Sequence, residues 1–276
     1  MLDGYVAIEV NGHQADQEAM SLLEHEGWGH FTAMQVRGGR ARGLGLHLSR
    51  LEAAHRDVYG RALGGQEVRD RIRHALGGRP DAGVRVYGYW AGLIVTVREP
   101  RDMARRPHSV TAVHFQRPLA RLKHVGSWGQ DRFRQAALAA GFDEGLLVDE
   151  TGRISEGTVT NVGLWRDGTV IWPEAPKLAG ITMLLLQRQL TAAGIRQAEE
   201  PVRVPDLAGY QGMFLCNARG WAPSAGSTTS RSPRTRHSPA SSQPPLTTAH
   251  GMRSSRKDDS DLHQATEHIR RQPGAH

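Results

Sequence analysis

A chain of 276 residues with 38% hydrophobic content can bury one large core or two modest ones, and it contains no apolar run of the about eighteen residues that a bilayer-spanning helix needs. The net charge of +7 raises a nucleic-acid partner, yet residues 224–276 hold eight Lys+Arg against four Asp+Glu; the first 223 residues therefore carry only +3 and show no basic stripe with interleaved aromatics. A single cysteine, Cys216, excludes an internal disulfide and fits a reducing compartment, and the opening Met1-Leu-Asp-Gly-Tyr-Val-Ala-Ile lacks the layout of a signal peptide, so a soluble cytoplasmic protein without a membrane partner is expected.

Residues 29–37 alternate apolar and polar side chains as a half-buried strand does, then turn at Gly38-Gly39, which predicts one arm of a hairpin. Leu48, Leu51 and Val58, then Val68, Ile72 and Leu76, fall at helical spacing, and residues 84–89 and 93–98 return to strand character. These elements make a first, small α/β unit over residues 1–115. A helix is predicted from Gln130 to Ala140, closed by Gly141. Residues 146–156 place a Glu-Thr-Gly turn between apolar arms, and residues 158–172 repeat the device across Asp167-Gly168. A further helix begins at Ile181 and is closed by Gly194, completing a larger second unit over residues 116–223. The fold class is thus α/β (α+β), with two domains. From Ser224 to His276 the chain is rich in Ser, Thr, Pro, Arg and His with few large apolar residues, and such a segment is expected to stay disordered because it buries too little surface to offset its ordering entropy.

The chemistry is concentrated in one rare residue. Only Lys123, Lys177 and Lys257 stand among 35 Lys+Arg, and Lys123 precedes a Glu-Gly-x-x-x-Asn segment at residues 156–161. Arginine replaces lysine at most solvated positions but stays protonated and forms no imine, so a lysine kept in this background is a candidate for amine chemistry, weighed against a plain surface cation. The fourteen histidines offer pairs such as His108/His114 and His263/His268 but no companion set at ligand spacing, so no metal is expected. Cys216 lies in the apolar run 213–216 and reads as a packed thiol.

Four segments in order, residues 121–128 (Arg-Leu-Lys-His-Val-Gly-Ser-Trp), 149–162, 179–183 and 214–223, resemble the motifs of class IV aminotransferases. That is the fold-type IV family of pyridoxal-phosphate enzymes, which includes branched-chain and D-amino acid aminotransferases and aminodeoxychorismate lyase. The resemblance runs from about residue 27 to residue 223. It implies a cofactor, pyridoxal 5'-phosphate, held between two domains, a homodimer, and exchange of an amino group between an amino acid and a 2-oxo acid. The alternative within the family is a lyase that forms 4-aminobenzoate and pyruvate. Carried over by position, Lys123 would hold the cofactor as an imine and, once freed by substrate, move protons at Cα. Glu156 would face the pyridine nitrogen and keep it protonated. Asn161, five residues on, would satisfy polar groups nearby. Ile181 and Thr182, at a helix start after Gly180, would bind the phosphate, with Arg50 adding forked hydrogen bonds and the Asn217-Ala218 turn closing the loop around it.

Two departures from the family pattern stand out. Several members have Asn-Tyr where this chain has Ser127-Trp128, whose indole N–H does not reproduce a tyrosine's geometry. After Ala222-Pro223 the family continues with further strand and helices, whereas this chain changes composition. A one-base frameshift would account for the change: with codons TCC GCC GGA TCG ACG ACG TCG CGC TCC CCG for residues 224–233, restoring one preceding G reads Val-Arg-Arg-Ile-Asp-Asp-Val-Ala-Leu-Pro. The same two departures motivate a third reading, a decayed, non-catalytic cofactor-binding protein.

Overall fold

The computed structural model describes residues 4–17, 28–225 and 262–268. Its first sheet grows from strict alternation. Along β3 (His30–Arg37) and the strand Ala82–Tyr89, here β5, every second residue is buried, so Met34, Val36, Val84 and Val86 share one face. With β1 (Tyr5–Val10), β2 (His13–Gln14), β4 (Arg40–Ala41) and β6 (Gly92–Arg98) they form a six-stranded antiparallel sheet in the order β2-β1-β6-β5-β3-β4. Two helices cover the apolar face. α1 (Leu44–Tyr59) buries Leu48, Leu51 and Ala54, and α2 (Gly65–Leu76) buries Val68, Ile72, Ala75 and Leu76, each spacing being that of one helical face. Each helix ends at a glycine in the left-handed region, Gly60 (φ 66°) and Gly77 (φ 54°), which lets the chain turn away without a Cβ clash.

The remaining strands make two further sheets. β10 (Asn161–Arg166), β11 (Thr169–Pro173), β12 (Arg196–Glu200), β13 (Gly212–Asn217) and β14 (Gly220–Pro223) run in the order β12-β11-β10-β13-β14. The β11–β12 pair is parallel and the others antiparallel. Both faces of this sheet are covered. Trp165, Val170, Trp172, Phe214 and Cys216 point to α4 (Ile181–Ala192), while Leu164, Ile171 and Leu215, one position along, point to a second cluster with Leu146, Val148 and Ile154. Those last residues belong to a three-stranded sheet of β7 (Val110–His114), β8 (Glu144–Val148) and β9 (Ile154–Gly157), flanked by α3 (Trp128–Ala139). β7 lies before residue 115 but pairs in parallel with β8, so it packs with the later strands.

The hairpin arm at 29–37, the helices around Leu48 and Ile72, and the strand pair across Asp167-Gly168 stand where the sequence predicts them. Cys216 is fully buried, and burial pushes its thiol pKa up to about 12, as befits a packed side chain. Ladder-like pairing extends beyond β14, with Ser224 N–H donating to Met213 O (2.7 Å) and Ala225 N–H to His108 O (2.8 Å). Residues 262–268, inside the segment expected to lack packing, are helical. Leu262 and Ala265 are 3% and 0% exposed within the cluster under α4, and the His268 ring lies 5.2 Å from that of Trp221. Expectations for residues 226–261 and 269–276 lie outside the described residues.

Candidate active site

The early sheet and the later strands meet along the segment that carries Lys123. Phe31 N–H donates to Lys123 O (2.8 Å) and Val125 N–H to Gly29 O (2.9 Å), so the lysine is stitched to the start of β3. Its Nζ stands 4.7 Å from the centroid of the Phe31 ring. Burial lowers the Lys123 pKa to about 7, helped by the positive charges of Arg117, Arg50 and Arg85 and opposed by Glu156. Near neutrality a large share of this amine is therefore unprotonated and nucleophilic.

Glu156 and Asn161 flank the turn between β9 and β10. A Cβ on Gly157 would sit 2.1 Å from Thr160 Oγ1, so the Glu-Gly-x-x-x-Asn spacing requires glycine there. Buried Glu144 of β8 braces the turn by accepting from Thr158 Oγ1 and from Thr160 Oγ1 (3.2 Å). Glu156 is itself 4% exposed and accepts from Arg117 Nη1 (3.2 Å) and from Leu178 N–H (3.4 Å to each oxygen). Burial raises its pKa, against the pull of Arg117. Arg117 is equally buried; its Nη2 donates to Leu122 O, bracing the chain just before Lys123, and its Nε has no hydrogen-bond partner.

Asn161 shapes the entry to α4. Its Nδ2 donates to Leu178 O (2.8 Å), and a Cβ on Gly180 would come within 1.8 Å of its Oδ1. Glycine at 180 is thus required by close approach to Asn161, and it delivers Ile181 and Thr182 to the helix N-terminus, where backbone N–H groups favour an anion. Thr182 Oγ1 donates to Asn217 O (2.7 Å), tying this terminus to the Asn217-Ala218 turn between β13 and β14. From α1, Arg50 donates to Ala179 O beside the same terminus; its pKa falls to about 10 through burial and the nearby Arg117. His47, one helical turn away, shares a hydrogen bond with Thr32 Oγ1 (2.6 Å), and burial plus the charges of Arg50 and Lys123 lower its pKa to about 3, so it is neutral. His47, Ile181, Thr182 and Ala218 line one narrow crevice.

The eight residues singled out in the sequence therefore fall in one neighbourhood, linked by the contacts above, and Ile181, Thr182 and Ala218 among them line the crevice. Ser127 and Trp128 do not join it through any contact described: Ser127 Oγ donates to Asp131 (2.7 Å), and Trp128 is 74% exposed with the Arg132 guanidinium 5.7 Å from its ring centroid. Sequence reasoning missed Arg117 and His47. Nothing separates Arg117 from its many fellow arginines except its place before Pro118, and His47 is one of fourteen histidines.

Fold and site together define an α/β protein that brings a near-neutral lysine amine, a buried carboxylate and a helix N-terminus into one neighbourhood. The sequence pattern of the amino-transferase class IV family matches residues 29–225, and the chain belongs to that family. A probable branched-chain-amino-acid aminotransferase of Rickettsia felis is 31% identical over 83 residues, 30% of this chain and 29% of the relative, so the match spans less than a third of that protein. The T.th. branched-chain amino acid aminotransferase solved with pyridoxamine 5'-phosphate matches with a TM-score of 0.68 at 20% identity, covering 80% of this chain and 85% of the other. The 4-amino-4-deoxychorismate lyase from Pseudomonas aeruginosa matches with a TM-score of 0.65 at 25% identity, covering 79% and 90%. These structural likenesses are likenesses of fold.

Proposed function

We propose that this chain is a pyridoxal-phosphate-dependent aminotransferase exchanging an amino group between an amino acid and a 2-oxo acid, with Lys123 as its catalytic residue. The observation that carries the reading is the Lys123 amine, brought to a pKa of about 7 beside the buried Arg117–Glu156 pair. Pyridoxal 5'-phosphate is the cofactor, and when bound it supplies an electron sink for negative charge at the amino acid's Cα. The donor set fits that group: an amine for its aldehyde, a buried carboxylate for a protonated ring nitrogen, and a helix N-terminus with a guanidinium for its phosphate.

In this reading Lys123 would hold the cofactor through its neutral amine and would carry a proton to and from the substrate's Cα, a task suited to a base whose pKa lies near neutrality. Glu156, whose pKa burial raises against the opposing pull of Arg117, would face the ring nitrogen and hold its proton. The backbone N–H groups of Ile181 and Thr182 hold phosphate, because the Thr182 hydroxyl is already engaged by Asn217 O. Arg50 adds charge there, Asn161 fixes Leu178 and hence the approach to α4, and the Asn217-Ala218 turn closes the pocket. Two domains, over residues 1–115 and 116–223 with β7 paired to the later strands, a homodimer and residence in the cytoplasm belong to the same reading.

A lyase reading is supported by the 25% identity to the Pseudomonas aeruginosa enzyme. Product analysis separates the two. Keto acid formed together with aminated cofactor supports transfer, and pyruvate with an aromatic amine from aminodeoxychorismate supports lysis. Neither product from folded, cofactor-loaded protein would favour the non-catalytic reading. Lys123→Ala is expected to abolish whichever turnover is found; turnover that survives it would sink both enzyme readings.

A further inference from the structure

Residues 157–160, the turn that separates Glu156 from Asn161, are tied at once to β8, to α3 and to the β13–β14 turn. From β8, the Glu144 carboxylate accepts from the Thr158 hydroxyl and from Gly145 N–H (3.0 Å) on Oε1, and from the Thr160 hydroxyl (3.2 Å) on Oε2. Gly145 O accepts in turn from Thr158 N–H (2.9 Å), and Gly157 N–H closes the turn on Thr160 O (2.8 Å). From α3, Gln130 Nε2 donates to Thr158 O (3.0 Å), and Arg134 Nη1 stands 3.5 Å from Glu144 Oε1. From the β13–β14 turn, Asn217 Nδ2 donates to Val159 O (3.2 Å).

Glu144 is the centre of this set. It is 2% exposed, with Thr158 and Thr160 at 1% and 6%, so these donors take the place of water around its carboxylate. A Cβ on Gly157 would lie 3.2 Å from Glu144 Cγ and 3.3 Å from Cδ, so the same side chain also packs on the backbone directly after Glu156. The elements that meet here each carry part of the candidate site. α3 begins at Trp128, shortly after Lys123; Glu156 ends just before the turn; Asn217 belongs to the turn tied to Thr182. Apolar side chains of similar volume would fill this core without polar groups to satisfy, whereas directional bonds to two hydroxyls of one turn select a single placement of it.

We propose that Glu144 is a positioning residue: through the Thr158 and Thr160 hydroxyls it fixes the 157–160 turn, and with it the place of the Glu156 carboxylate relative to Lys123. The lock stands on its own geometry, and its use in holding an acid at a cofactor's ring nitrogen rests on the proposed function.

The discriminating variants are Thr160→Val, which keeps the shape and removes the donor to Glu144 Oε2, and Thr160→Ser, which keeps the donor. Two readouts are taken on the full chain without cofactor. In hydrogen exchange followed by mass spectrometry, the amides of Gly157 and Thr158 should exchange about tenfold or more faster in Thr160→Val than in the parent, and at close to the parent's rate in Thr160→Ser. The second readout is one that a merely structural role would not move, the ionisation of Lys123. Labelling at lysine Cε gives one nuclear magnetic resonance signal for each of the three lysines, and Lys123→Arg identifies the one in question. Glu156 raises the Lys123 pKa against Arg117, Arg50 and Arg85, so displacing its carboxylate should lower the titration midpoint in Thr160→Val, and Thr160→Ser should restore it. In a Glu144→Met background Thr160→Val should add little further shift. Unchanged exchange in Thr160→Val, or faster exchange with the parent's midpoint, would overturn the proposal; an equal shift with and without the Glu144 carboxylate would remove Glu144 from the role. Borohydride trapping keeps this apart from the larger reading. Phosphopyridoxyl on Lys123 with an unmoved midpoint removes the lock and leaves the proposed function, and a shifted midpoint in a folded chain that traps no cofactor does the reverse.

Discussion

Replacing Arg117 with methionine breaks an ion pair whose two side chains are each only 5% exposed, and leaves Glu156 with the long Leu178 N–H contacts and the field of Lys123. Removing one partner of a buried pair costs about 3–5 kcal/mol, because the remaining charge stays desolvated. That cost depends on pH in a defined direction. Burial already raises the Glu156 pKa, and without Arg117 it rises further, so the penalty is full above the raised value and fades as the carboxyl takes up a proton on acidification. Urea unfolding of the two proteins at pH 7.5 and pH 5 measures this; the deficit of Arg117→Met should shrink at the lower pH. Adding Glu156→Gln should restore part of the loss at pH 7.5, since no buried charge then remains. A deficit below about 1 kcal/mol that is the same at both pH values would refute a buried, mutually dependent pair.

Three other outcomes are expected. The rate at which Lys123 reacts with pyridoxal should rise with pH about a midpoint near 7 and level off above it, and Arg117→Met should move that midpoint upward; a midpoint of 9 or higher in the parent would contradict the lysine's burial among cations. Gly180→Ala should weaken binding of pyridoxal phosphate much more than of pyridoxal, because the new Cβ meets Asn161 Oδ1 and displaces the α4 entry; Asn161→Ala in the same chain should recover part of it, and strict additivity would exclude that contact as the cause. Leu262→Ala should cost about 2–3 kcal/mol in urea unfolding if residues 262–268 hold their place under α4, and a neutral result would remove that packing.

The elements most legible in the sequence were those whose evidence is local. Alternation through residues 29–37, the Asp167-Gly168 turn and the helical spacing of Val68, Ile72 and Leu76 each need only a short window. β1, β7 and β12 gave no such cue, because their pairing is decided by strands distant in the chain: Tyr5–Val10 finds β6 and Arg196–Glu200 finds β11. In the site, Lys123 and Glu156 were legible from rarity and motif. Arg117 was hidden because arginine is abundant here and only burial marks this one. Leu262 and Ala265 are one helical turn apart, but the surrounding Ser, Thr and Pro masked that spacing.

The most direct test of the central claim is reductive trapping. The folded chain is incubated with pyridoxal phosphate, its visible absorbance recorded, and the sample treated with borohydride, desalted and mapped by peptide mass. The expected result is a band in the region of roughly 410–430 nm that disappears on reduction, with the phosphopyridoxyl mass on the peptide containing Lys123 and not on those containing Lys177 or Lys257. A demonstrably folded chain with no adduct, or with adduct spread over all three lysines, would contradict the assignment of Lys123 as the catalytic amine.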